Sequence, residues 1–175
     1  MIETPRKPVI LAVDDASDTL GMLSAVLEGA DMTTLVANDG ESALSLLSHI
    51  VPDLILMDAV MPRMDGFETT RAIKARENFT HIPIIFMTGL AEPENVVRGF
   101  DAGGVDYITK PIVPEVMLAR VRTHLANARL TQSARRALDV SGTSLMAVNG
   151  GGQVLWVTPR GLPLPPCTKS TIPPR

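Results

Sequence analysis

Apolar residues fall along this chain in two alternating rhythms. Short β-prone runs occupy residues 8–13 (PVILAV), 32–37 (MTTLVA), 54–57 (LILM), 82–87 (IPIIFM) and 105–109 (VDYIT). Runs of this length, bounded by Pro, Gly or charge, suit buried strands, because a helix needs ten or more residues. Between them the apolar positions recur at helical spacing. Leu20, Leu23, Val26 and Leu27 follow Ser17 or Asp18 as a cap and stop at Gly29. Ala43, Leu44, Leu46, Leu47 and Ile50 follow the turn Asn38-Asp39-Gly40 and stop at Pro52. Phe67, Thr70 and Ile73 share one side of residues 66–76, and Val96, Val97, Phe100 and Ala102 run from Pro93 to Gly103-Gly104. Five such alternations predict an α/β fold with parallel strands and right-handed crossovers.

A fifth helix begins at Pro114 and meets no breaker before Gly142. Met117, Leu118, Val121 and Leu125 give its first half a packing stripe, so that half is expected to lie on the domain and the second half to project as a linker or dimerisation element. Too few heptads follow to specify a coiled coil. Residues 145–148 and 154–157 are strand-like and flank Asn149-Gly150-Gly151-Gly152, a hairpin signal. Two strands alone do not make a stable domain. Residues 161–175 are Pro-rich and polar, and are expected to be disordered. The chain therefore divides into an arm (1–7), a body (8–126), a helical extension (127–141), a hairpin (142–160) and a tail (161–175).

Charge sharpens this division. The formal net charge is −3, yet residues 1–110 carry 8 basic against 17 acidic groups and residues 111–175 carry 8 against 2. An acidic, cation-binding body with a basic extension fits the split, as does a long helix with a solvated basic face. The single cysteine, Cys167, excludes an internal disulfide and a cysteine zinc site. The apolar run after the basic start is too short for a signal peptide, and no stretch is long enough to span a bilayer. A cytoplasmic setting without membrane contact is expected.

The chemistry gathers where the apolar runs end. The first closes on Asp14-Asp15, the third on Asp58, the fourth on Thr88-Gly89 and the fifth on Lys110-Pro111. Open α/β sheets place ligands at the carboxyl ends of their strands. Carboxylates brought together there either raise a pKa or share a divalent cation, and oxygen-only ligands favour magnesium. With magnesium, an Asp can attack a phosphoryl group to give an aspartyl phosphate, helped by an ammonium and a hydroxyl, which Lys110 and Thr88 offer. Gly89 leaves room beside Thr88 for the phosphoryl group. Pro111 could hold a cis peptide, although trans is the default.

Through Asp14-Asp15, LILMDAVMPRMDG, MTG and DYITKP, residues 8 to about 126 resemble the CheY-like receiver domain of two-component response regulators. The resemblance implies a flavodoxin-like (βα)5 sandwich with strand order 2-1-3-4-5. It implies that Asp58 accepts phosphate from a histidine kinase or phosphotransfer protein. Asp14, Asp15, Asp58 and the Val60 carbonyl would hold Mg2+, and Lys110 would contact the phosphoryl oxygens. Thr88 and Tyr107 would form the switch, and the bond before Pro111 would be cis. Output would pass through the face of the fourth helix, fifth strand and fifth helix, by homodimerisation or partner binding, or through the extended helix.

On this reading the chain catalyses only its own phosphorylation and dephosphorylation, and transcription is controlled by an effector beyond it, which alone would touch DNA. The hairpin loosely resembles the start of a PAS-like domain, which suggests truncation, a shifted reading frame or an engineered end. Two other functions compete. A magnesium-dependent phosphohydrolase would need an acid/base beside Asp58 that neither Ala59 nor Val60 supplies. A nucleic-acid binder would use the five arginines of residues 120–136, which lack interleaved aromatics. His49, His81 and His124 are expected at the surface rather than as ligands.

Overall fold

A computed structural model describes residues 6–89, 93–140, 146–148 and 154–157. The chain falls into two compact units, Met1–Ala128 and Arg129–Arg175. In the first, the five apolar runs become β1 (Val9–Val13), β2 (Thr33–Ala37), β3 (Leu54–Asp58), β4 (Ile84–Thr88) and β5 (Asp106–Thr109). They form one sheet in the order β2-β1-β3-β4-β5. Every pairing is parallel, with Val13 opposite both Ala37 and Met57, Asp58 opposite Met87, and Thr88 opposite Thr109. This is the expected flavodoxin-like order, and it reverses between β1 and β3, the place where open α/β sheets bind ligands.

The helices are α1 (Ser17–Gly29), α2 (Gly40–Leu46), α3 (Gly66–Lys74), α4 (Pro93–Ala102) and α5 (Pro114–Val140). Strands covered on both faces need apolar residues at every position, which is why their runs lack alternation. Leu11, Val13, Ile55, Met57, Ile84 and Phe86 face one core with Ala43, Leu47, Phe67, Ile73 and Ala102. Ile10, Ala12, Leu54, Leu56, Ile85, Met87 and Ile108 face the other with Leu20, Leu23 and Leu27 of α1 and Met117, Val121 and Leu125 of α5. The first half of α5 thus packs as its stripe predicts. Leu130, farther along, is 70% exposed.

Two boundaries differ from the sequence expectation. Neither Ser17 nor Asp18 caps α1: Ala16 holds the cap position without a side-chain bond, and its N–H donates to Asp14 Oδ1 at 2.9 Å. The carboxylate just past β1 therefore accepts from the residue at the helix entry, where Ser17 or Asp18 was expected to cap. Helix α2 ends at Leu46 rather than continuing to Ile50, which is 39% exposed. At its start Asp39 accepts from Ser42 N–H, so the expected turn supplies the cap. Gly103, with φ +106°, ends α4 as expected, in a conformation that L side chains rarely adopt.

In the second unit β6 (Met146–Val148) pairs antiparallel with β7 (Val154–Val157), with a bulge between Ala147 and Val148. The Gly-rich loop and the tail at 161–175 lie outside the described residues. No described helix is long and apolar enough to cross a membrane.

Candidate functional site

Each site group is fixed by the sheet that precedes it. Asp14 is one residue past β1, and its N–H extends the ladder to Ala37 O at 3.2 Å. Asp58 is the last residue of β3, and Ala59 N–H continues to Met87 O at 2.9 Å. Lys110 N–H donates to Thr88 O at 2.8 Å, which seats Lys110 beside Thr88 at the end of β4 and β5. The Lys110–Pro111 peptide is cis.

These placements bring together four groups separated by up to 96 residues. One carboxylate oxygen from each of Asp14, Asp15 and Asp58 lies within 4.8 Å of the others. Lys110 Nζ donates to Asp14 Oδ2 at 2.8 Å and to Asp58 Oδ2 at 2.9 Å. Asp14 is fully buried and Asp58 is 4% exposed, whereas Asp15 opens to solvent. Burial is the largest influence on Asp58 and pushes its carboxyl above the ordinary range, with the Asp14 charge adding to it; the Lys110 ammonium and Val60 N–H, which donates to Oδ1 at 3.2 Å, oppose the shift. Burial pushes Lys110 down, but its hydrogen bonds to the two carboxylates outweigh this and raise it. The ammonium therefore stays charged between two anions that repel each other.

A hard divalent cation suits this donor set. Three carboxylates from two strand ends offer only oxygen, with no sulfur or imidazole in the cluster, and one of them faces solvent. Asp14, Asp15 and Asp58 are the residues that could hold it.

The segment after Asp58 is locked in place. Gly66 N–H donates to Ala59 O at 3.1 Å, and a Cβ built on Gly66 would overlap the carbonyl oxygen of Asp58. Asp65 and Glu68 form a capping box at the start of α3. Around Gly89, by contrast, a Cβ would meet open space. Val60 is 57% exposed, and its side chain carries no acid or base.

Thr88 is buried at 5% exposure. It lines a small cavity with Tyr107, Phe67, Phe86, Gly99 and Phe100 beneath α4. Tyr107 is half-buried and packs against the core, one residue from Asp106.

Several contacts around the site were not legible in the sequence. Asp106 accepts from Arg120 Nη1 at 2.7 Å to both oxygens and lies 3.0 Å from His124 Nε2, so His124 is half-buried rather than at the surface as expected. Helical spacing of Arg120 and His124 was the available signal, but nothing in it names Asp106. Arg63, at φ 68°, pairs with Asp39 at 2.6 Å, and Arg98 lies over the Phe67 ring.

Residues 10–122 match the family model described as the response regulator receiver domain. A Vibrio cholerae protein named as a probable cyclic di-GMP phosphodiesterase is 41% identical over 141 residues, covering 81% of this chain and 32% of that protein. The DNA-binding dual master transcriptional regulator RpaA of Synechocystis is 33% identical over 85% of this chain and 62% of its own length. The chain thus spans about a third to three-fifths of these relatives. Among solved structures, the chemotaxis protein CheY4 of Vibrio cholerae aligns with a TM-score of 0.66 at 30% identity, covering 67% of this chain and 98% of that one.

Proposed function

Because the chain belongs to the receiver-domain family of two-component response regulators, we propose that Asp58 accepts a phosphoryl group and that the modified site drives an output surface. The observation that carries this is the bridge from Lys110 Nζ to Asp14 and Asp58 inside the acidic cluster. An Asp58 oxygen attacks phosphorus as the bond from phosphorus to the donor's histidine nitrogen, or to the oxygen or nitrogen of a small donor, breaks and the donor leaves. Lys110 stays protonated and neutralises the phosphoryl oxygens, while Val60 N–H helps to orient the Asp58 carboxylate. Asp14, Asp15 and Asp58, with the Val60 carbonyl, would hold Mg2+, which lowers the repulsion between the carboxylates and the incoming anion. The open space beside Gly89 accommodates the group next to Thr88.

Thr88 and Tyr107 are the switch pair of this reading, since both line the cavity beneath α4. A phosphoryl group on Asp58 draws Thr88 and Lys110 inward and biases the α4-β5-α5 face between two arrangements. Val97, Phe100 and Val116 are exposed on that face and suit a second copy or an output partner. The donor is a sensor histidine kinase or a phosphotransfer protein. Control of transcription by an effector beyond the receiver is the first reading of the output, in line with the DNA-binding relative. An enzymatic output is the second, favoured by the phosphodiesterase relative.

The test is incubation with Mg2+ and acetyl phosphate or phosphoramidate, followed by intact-mass measurement. One phosphoryl mass should appear on the native chain, fail to appear with EDTA and fail to appear on Asp58→Asn. No gain on the native chain, or an undiminished gain on Asp58→Asn, overturns the assignment.

A further inference from the structure

Helix α4 is tied to the segment after Asp58 by the Arg98 side chain. The Arg98 guanidinium carbon stands 4.5 Å from the centre of the Phe67 ring, and its NH2 lies 3.5 Å from Asp65 Oδ2. Both partners open α3. Asp65 is its N-cap, and Phe67 follows Gly66, the residue seated on the Asp58 carbonyl. Phe67 in turn lies against Phe86 of β4, with ring centres 5.0 Å apart, two residues before Thr88. The Phe86 ring also fills the space beside Gly99 and Gly104, where an added Cβ would come within 3.1 and 2.6 Å of it. Arg98 therefore grips the same ring that supports the wall of the switch cavity.

We infer that Arg98 is a positioning residue that clamps α4 onto the start of α3 in the unphosphorylated arrangement, so that phosphorylation of Asp58 must release the clamp. The inference rests on the proposed phosphoacceptor role. The clamp is suited to release because it is half solvated, with the Arg98 side chain 52% exposed and Asp65 33% exposed. A guanidinium over an aromatic face at such a site, with one long ion pair, is weak enough to open yet strong enough to bias α4. A contact present only in the unphosphorylated state lowers affinity for a phosphoryl mimic, and its removal raises that affinity by the same factor.

The experiment titrates beryllium fluoride with Mg2+ into the native chain, Arg98→Ala and Arg98→Lys, with thermal unfolding of each in parallel. Arg98→Ala should bind the mimic roughly two- to tenfold more tightly. Arg98→Lys should fall between, because an ammonium keeps the charge but not the planar stacking. A merely structural loss would weaken binding along with stability, so a tighter complex from a less stable chain is diagnostic. Unchanged or weaker binding by Arg98→Ala overturns the clamp. Failure of the native chain itself to bind the mimic overturns the phosphoacceptor reading instead.

Discussion

Gly66 lies so close to Asp58 that the carbonyl oxygen of Asp58 occupies the space where any other residue would carry its Cβ. The contact is between backbones, so neither side can swing away. It holds the loop that follows Asp58 against the strand that ends in it.

Gly66→Ala should therefore lower stability by about 1–3 kcal/mol, the usual cost of forcing an extra carbon into packed structure. Gly89→Ala, whose Cβ meets open space, should stay within about 0.5 kcal/mol of the native chain. Urea unfolding of both variants provides the comparison; equal losses would contradict the packing argument.

Lys110 is the cation bonded to both buried carboxylates among the described residues. Lys110→Met leaves two desolvated anions facing each other. In EDTA this should lower stability by about 1–3 kcal/mol, and excess Mg2+ should restore part of the loss. Phosphorylation should slow by about a hundredfold, the scale of removing one preorganised charge-stabilising donor. Unfolding and phosphorylation time courses with and without Mg2+ check both effects, and a variant of native stability in EDTA would contradict them.

Burial pushes Asp106 up, but hydrogen bonds from Arg120, His124 and Tyr107 N–H outweigh it and hold the carboxyl below its ordinary 3.8. The unfolded chain then binds more protons than the folded one between that lowered value and 3.8, so stability rises with pH across the window. The contribution is complete above 3.8 and lost as pH falls through the folded value. Arg120→Ala should cost about 0.5–1 kcal/mol at pH 7, kept small because Arg120 is 40% exposed and water screens the pair. The difference should shrink towards zero as the carboxyl protonates. Denaturant titrations of both chains at pH 7 and at a pH below the folded value decide it; a pH-independent difference would mean that packing rather than charge carries the effect.

What was readable in the sequence and what was not divide along one physical line. Asp14, Asp58, Thr88 and Lys110 each end an apolar run, and a parallel sheet gathers strand ends by its topology, so adjacency followed from the runs alone. Buried strands also reveal themselves because both faces need apolar residues, as in β3 and β4, where every position is buried. Contacts between surface elements carry no such signal. Arg98 on Phe67, Arg63 on Asp39 and Arg120 on Asp106 join charged or aromatic residues that many folds would leave solvated. Their pairing depends on how helices, loops and strands are set against one another, which periodicity does not encode. The α1 cap shows the same limit on a smaller scale: Ser17 and Asp18 had the right chemistry, and the backbone places Ala16 at the cap position, without a side-chain cap.

An aspartyl phosphate at residue 58 is one bond, between an Asp58 oxygen and phosphorus, and locating that bond is decisive. After reaction with acetyl phosphate and Mg2+, borohydride reduction converts an aspartyl phosphate to homoserine, which peptide mass spectrometry locates. Homoserine should appear at position 58, and none when EDTA is present. Homoserine at Asp14 or Asp15, or at no aspartate, would contradict it.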